Sequence, residues 1–170
     1  MPTPSSRFFR ALFAALCLVL APAGYAAAAG LTVDRVEVYK SKHELRLLHN
    51  EEVVKKYRVA LGRRPGKKEH QGDYKTPEGR YVIDFVKSDS KFHRALHISY
   101  PNNDDYQTAA RKGQTPGGDI MIHGLPGETK LVKDIHALFD WTKGCIAVTN
   151  REIEEIAGSV RPGTPIVIYP

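Results

Sequence analysis

The chain has 170 residues, with 25 Lys and Arg against 19 Asp and Glu, a net charge of +6, and 42% hydrophobic residues. That composition excludes a low-complexity or collagen-like chain and fits one ordinary globular domain. The basic excess suits an anionic polymer or surface and is too weak to argue for nucleic-acid binding.

Arg7 and Arg10 precede or interrupt an almost wholly apolar run, Phe8 to Ala23, and Tyr25 to Gly30 supplies small residues for an Ala-x-Ala cleavage. The pattern predicts a secretory signal over 1–29, exporting the chain to the periplasm or exterior of a bacterial envelope. Arg10, Pro22 and Gly24 break the run below the roughly 18 residues of a spanning helix, and nothing later is apolar enough to span. Leu16 precedes Cys17 where a lipoprotein signal would carry a small residue, which argues against lipid attachment. Cleavage after Ala29 leaves about 140 residues, the usual size of a single domain, here 30–170.

From Leu31 the chain alternates apolar and charged residues through Val38, then around Leu45 and Leu47 between His43 and His49, and again from Val53 to Leu61. An antiparallel meander with a turn at His49-Asn50 is expected. Gly62 to Gly79 is long, glycine- and proline-punctuated and free of any period. It carries Arg63, Arg64, Lys67, Lys68 and Lys75, which marks a binding element able to meet carboxylates rather than a plain connector. Arg80 to Val86 and Arg94 to Tyr100 read as strands, Asp104 to Lys112 as a short helix, and Asp119 to Gly124 as an apolar strand ending in His123. Leu131, Ile135, Leu138 and Phe139 fall at helical spacing within Lys130 to Phe139, so His136 there reads as a surface or packing residue. Thr149-Asn150-Arg151-Glu152 is a capping box ahead of Ile153, Ile156, Ala157 and Val160, and Ile166 to Tyr169 is a last strand. The fold class is mainly β with a few helices.

With Cys17 removed, Cys145 in Trp141-Thr142-Lys143-Gly144-Cys145-Ile146 is the one remaining cysteine, so no internal disulfide can employ it. Free cysteines are often small buried hydrophobes, yet a thiolate next to a histidine is a nucleophile. His123, at a strand end and followed by glycine, is the candidate base. Gly144 leaves the backbone beside the cysteine uncrowded for an oxyanion. His43, His49, His70, His93, His97, His123 and His136 show no paired zinc spacing, and no GxSxG elbow occurs.

His123-Gly124 followed by Thr142-Lys143-Gly144-Cys145-Ile146 resembles the signature of the L,D-transpeptidase catalytic domain, or YkuD domain, and Gly72 to Tyr81 is similar to the segment ahead of its catalytic strands. The resemblance runs from about Leu31 to Pro170. It implies a β-rich sandwich or barrel-like fold with the site in a cleft under a mobile loop. Cys145 would be the acylated nucleophile, His123 the base and the Gly124 carbonyl its orienting group. Gly144 and Cys145 amides would face the oxyanion, with Thr142, His97 and Tyr100 lining the substrate. No cofactor or metal is implied. The partners implied are peptidoglycan stem peptides, with a wall-linked lipoprotein as a further one.

One departure is visible: the family usually carries Arg or Asn two places after the cysteine, and this chain has Ala147. Together with Leu96 to Asn102 and Asp140 to Asn150, that makes the chain similar to a murein L,D-transpeptidase-like subgroup. Some of its members are hydrolases that release lipoprotein from peptidoglycan. A non-catalytic wall-binding module is the remaining alternative.

Overall fold

The computed structural model describes residues 32–127 and 129–170; the expected export signal, with Cys17, lies outside them. Eight strands form one mixed sheet: β1 (Arg35–Tyr39), β2 (Glu44–His49), β3 (Glu52–Arg58), β4 (Gly79–Ser90), β5 (His93–Ile98), β6 (Met121–His123), β7 (Ile146–Ala147) and β8 (Pro165–Tyr169). Their spatial order is β3-β2-β1-β8-β4-β5-β6-β7. Three helices accompany them: α1 (Asn103–Arg111), α2 (Lys130–Ile135) and α3 (Asn150–Ser159).

The meander over β1 to β3 is antiparallel, as the alternation predicts. Its turn falls one residue later than expected, on Asn50 and Glu51, both at positive φ. Glutamate has no intrinsic preference for that region. Tertiary bonds hold it there: both Glu51 carboxylate oxygens accept from Arg35 at 2.7 Å, and Asp34 accepts the Asn50 amide at 2.5 Å.

β4 joins the two halves of the sheet. Gly79 to Val82 pair with β8, Ile83 onward pair with β5, and a bulge between Ile83 and Phe85 bends the strand where it changes partners. At the far edges Ala60 and Ala147 exchange backbone bonds of 3.0 and 2.8 Å, bringing the chain after β3 against β7. Val36, Val38, Leu45, Leu47, Ile83, Leu96, Ile98, Ile122, Ile146, Ile166 and Ile168 from this sheet pack with Ile153 and Ile156 of α3 into one core. Each such side chain contributes about 1.5–3 kcal/mol on leaving water. Thr149 and Glu152 form the capping box at the start of α3, and Asn102 with Asp105 forms a second one on α1.

One segment departs from the sequence reading. The helix expected through Phe139 stops as α-helix at Ile135 and tightens into a 3₁₀ turn, and Leu131, Leu138 and Phe139 are 68, 64 and 69% exposed. Helical spacing there does not mark a buried face, because no element among the described residues covers these side chains. The 62–79 loop, expected to be a binding element, is tied along its length. Asp73 accepts Glu69, His70 and Lys75 amides and the Lys68 ammonium, all within 3.1 Å. Lys40 reaches Gly66, Thr76 and Glu78 from the other side.

Candidate active site

β6 and β7 run parallel, with Ile122 opposite Ile146 and His123 opposite Ala147. Cys145, one residue ahead of β7, therefore stands level with Met121, and His123 lies two residues further along the neighbouring strand. On ordinary strand dimensions this separates the two Cα atoms by about 8 Å, a gap an imidazole and a thiol directed at one another can close. Alternation puts Met121 and His123 on one face, while Ile122 and Ile146 turn into the core. Cys145 and His123 share a cavity of about 710 Å³ with Arg63, Tyr74, Phe92 and Trp141.

His123 is buried, and its Nδ1 lies 2.7 Å from the Gly124 carbonyl oxygen. A carbonyl only accepts, so Nδ1 carries the proton and Nε2 is left as a proton acceptor. Phe92, at the tip of the β4–β5 hairpin, stacks on the ring at 4.4 Å, and Trp141 meets it edge-on at 5.9 Å. Burial lowers the imidazole below its ordinary value, with the bond to Gly124 opposing. The ring is therefore neutral near pH 7. The backbone cannot shift away from this arrangement: Gly124 donates to the Arg94 carbonyl, and a Cβ at Gly124 would lie 2.5 Å from Asn150 Oδ1 and 2.8 Å from the Phe92 carbonyl.

The Cys145 sulfur is half-buried and donates to the Asp119 carbonyl at 3.5 Å. Burial raises its pKa; a hydrogen bond from the Met121 backbone lowers it, Asp119 raises it and Lys68 lowers it. Both partners thus rest uncharged. Desolvation disfavours each charged form.

The turn before the cysteine is built by Thr142. Its hydroxyl donates to the Cys145 carbonyl at 2.8 Å and accepts the Gly144 amide at 3.0 Å. The Gly144 amide expected to face an oxyanion is therefore already committed to Thr142. Gly144 sits at φ +128° with Lys75 O 2.7 Å from where a Cβ would be. Thr142 also trades backbone bonds with Leu61 and Arg63, fastening this turn to the start of the 62–79 loop.

The other two residues expected at the site lie elsewhere. His97 pairs with Asp84 at 2.7 Å and stacks on Phe85, outside the cavity. Tyr100 is buried, donates to the Pro116 carbonyl and packs edge-on against Tyr81. It borders the site only through Lys68, whose ammonium lies 5.9 Å from its ring. Sequence reasoning missed Phe92 and Trp141, which cover the imidazole, and the burial of Lys68. Trp141 adjoins the cysteine motif, whereas Phe92 sits in a polar hairpin tip with no sequence signal. Among the described residues no group of three or more His, Cys, Asp or Glu is placed to hold a metal ion.

The family model for the L,D-transpeptidase catalytic domain, YkuD, matches residues 33–168. The chain belongs to the L,D-transpeptidase catalytic domain family. It is 33% identical over 114 residues to YafK of Escherichia coli K12, itself a predicted L,D-transpeptidase, an alignment covering 62% of this chain and 39% of that protein. Among solved structures it is similar to Pgp2, a helical cell shape determining protein of Campylobacter jejuni, at 26% identity and a TM-score of 0.62 over 80% of this chain and 47% of Pgp2. It also shares its fold with an L,D-transpeptidase of Mycobacterium smegmatis, at 14% identity and a TM-score of 0.55 over 80% of this chain and 58% of that one. The chain spans less than half the length of YafK and Pgp2.

Proposed function

We propose that this domain is a cysteine-dependent transpeptidase of peptidoglycan stem peptides, exported to the periplasm. The observation that carries the reading is the imidazole of His123, held by Gly124 in the tautomer that leaves Nε2 able to take a proton. It shares a cavity with a thiol that otherwise rests on a backbone carbonyl. The thiol turns from Asp119 toward His123, gives its proton to Nε2, and Sγ attacks the amide carbonyl after the third stem residue. The carbonyl oxygen becomes an oxyanion, met by the Cys145 amide because that of Gly144 is committed. When the tetrahedral intermediate collapses, His123 returns the proton to the departing amine and a thioester remains. The side-chain amine of a second stem then attacks the thioester and gives its proton to His123; collapse forms the new amide and breaks the C–S bond, and His123 hands that proton to Sγ to restore the thiol.

Both neutral resting forms suit this sequence, because the proton moves only as the new bond forms. The family assignment, the Cys–His cavity and its cationic wall support the reading. Water or a lipoprotein lysine can resolve the same thioester, so the acceptor is decided by experiment. The mature protein and Cys145→Ala are incubated with tetrapeptide muropeptides, an amine-bearing second stem and a lipoprotein-linked tripeptide, with products read by mass spectrometry. Cysteine-dependent 3,3-linked dimers are expected. Release of the lipoprotein fragment without dimers would replace the transpeptidase by a hydrolase of the same chemistry.

A further inference from the structure

The wall of the Cys145 cavity contains three cations, Arg63, Lys68 and Lys143, and one acid, Asp119. They are not equivalent. Lys68 is buried and spent on Asp73 and the His70 carbonyl, both at 2.9 Å. Lys143 is exposed, and no partner among the described residues fixes its flexible stem. Arg63 is held at both ends: its backbone amide donates to the Thr142 carbonyl at 3.1 Å, and its guanidinium carbon lies over the Tyr74 ring, 4.6 Å from the centroid. Stacking occupies the face of a guanidinium and leaves its N–H edges available. No carboxylate among the described residues pairs with them, whereas Arg35, Arg46 and Arg94 each have a glutamate.

We infer that Arg63, stacked on Tyr74 and fastened to the turn that carries the cysteine, is the carboxylate-binding residue of this site and selects acyl donors bearing a free carboxylate near the scissile amide. The inference rests on the proposed function for the identity of the donor. It also answers a gap in the chain itself: Ala147, two places after the cysteine, is fully buried and has no group that could bind a carboxylate. The planar fork accepts a carboxylate through two parallel bonds. Because Arg63 and Cys145 are linked through Thr142, such a bond fixes the donor relative to the sulfur rather than merely attracting it. Tyr74, at φ +57° and lining the same cavity, is the platform that keeps the fork from collapsing into solvent.

The test needs no peptidoglycan. Iodoacetate and iodoacetamide alkylate a thiolate with loss of iodide and differ chiefly in that one carries a carboxylate. Their rate ratio at Cys145 therefore cancels the thiolate fraction and reads the local affinity for that group. Arg63→Gln is expected to lower the iodoacetate-to-iodoacetamide ratio about threefold or more, the effect of one unit charge a few ångströms away in a watery cavity. Arg63→Lys should retain part of it, Tyr74→Leu should lower it and Tyr74→Phe should not. Raising the salt should shrink the difference between wild type and Arg63→Gln. An unchanged ratio in Arg63→Gln, or a fall seen only in Lys143→Gln, overturns the assignment. On stem peptides, Arg63→Gln should raise KM for a donor with its carboxylate free and leave the amidated donor unaffected. If the alkylation ratio falls as expected while the wild type processes no stem peptide, the transpeptidase reading fails and the carboxylate site stands.

Discussion

The 62–79 loop, which lines the Cys145 cavity, and residues 125–139, none of which lines it, both invert what their sequences suggest. The 62–79 loop has no hydrophobic period, no regular structure and a cluster of basic residues, yet it is pinned by buried charges. Residues 125–139 have helical spacing, and they leave Leu131, Leu138 and Phe139 largely in water. The difference lies in where each segment's polar groups go. In the loop, one buried carboxylate, Asp73, satisfies three backbone amides and an ammonium. Burial alone would raise the Asp73 carboxyl, but the bonds from Glu69, Lys68, His70 and Lys75 outweigh it and hold the group below its usual range. Order in an irregular segment comes from completed hydrogen-bond accounting. Periodicity orders a segment only when another surface meets it.

The largest expected effect is therefore on the loop. Asp73→Ala removes four acceptor contacts and leaves Lys68 as a buried, unpaired cation, a change worth about 3–5 kcal/mol in denaturant unfolding. A loss under about 1 kcal/mol, the range of an exposed ion pair, would show that the loop is held by something else. Since the folded carboxyl titrates below the unfolded one, its stabilisation is complete above the unfolded value of about 3.9 and disappears only as pH falls below it. The wild-type loop should thus stay protected from proteolysis through mildly acidic pH.

Next comes the contact between the loop and the turn that carries Cys145. Gly144→Ala sets a Cβ against the Lys75 carbonyl at a φ that L-residues avoid, a cost of about 1–3 kcal/mol. Thiol alkylation should slow along with unfolding stability, because the turn carries Cys145; a stable variant with normal alkylation would uncouple the two.

Smaller in stability but visible in titration is Phe92→Ala. Uncovering His123 relieves the burial that depresses its imidazole, so the ring should titrate at higher pH than in the wild type by NMR. In the wild type, protonation is opposed in the fold. The stabilising contribution is therefore present above the unfolded value of about 6.5 and lost as pH falls below it. The acid limb of kcat/KM should likewise lie below 6.5, and move up in Phe92→Ala. The smallest effects belong to the exposed side chains of 131–139: Leu131→Ser and Phe139→Ser should change stability by no more than about 0.5 kcal/mol. A cost of 2 kcal/mol at either would mean that this face is covered after all.

Much of this was legible in the sequence because it depends on local chemistry. Val36, Val38, Leu45 and Leu47 place the meander, Thr149 and Glu152 start α3, and His123-Gly124 with Thr142 to Cys145 mark the site. What was not legible depends on contacts distant in sequence. Glu51 takes a turn position because Arg35 holds it. His97 sits on a site-facing kind of strand position yet is claimed by Asp84. Gly144 looks like a free amide until Thr142, two residues earlier, is seen to take it. Lys68 read as one more cation of a basic binding loop, and only Asp73 and Tyr100 reveal it as buried.

The proposed function requires Cys145 to accept the acyl group with His123 as its base. Intact-protein mass spectrometry of the mature chain mixed briefly with a tetrapeptide stem, and quenched in acid, tests it most directly. The account predicts a mass increase equal to the tripeptide acyl group, mapped to Cys145, absent in Cys145→Ala and formed slower by about 10² or more in His123→Gln. Turnover of the stem by Cys145→Ala, or an adduct on another residue, would contradict it.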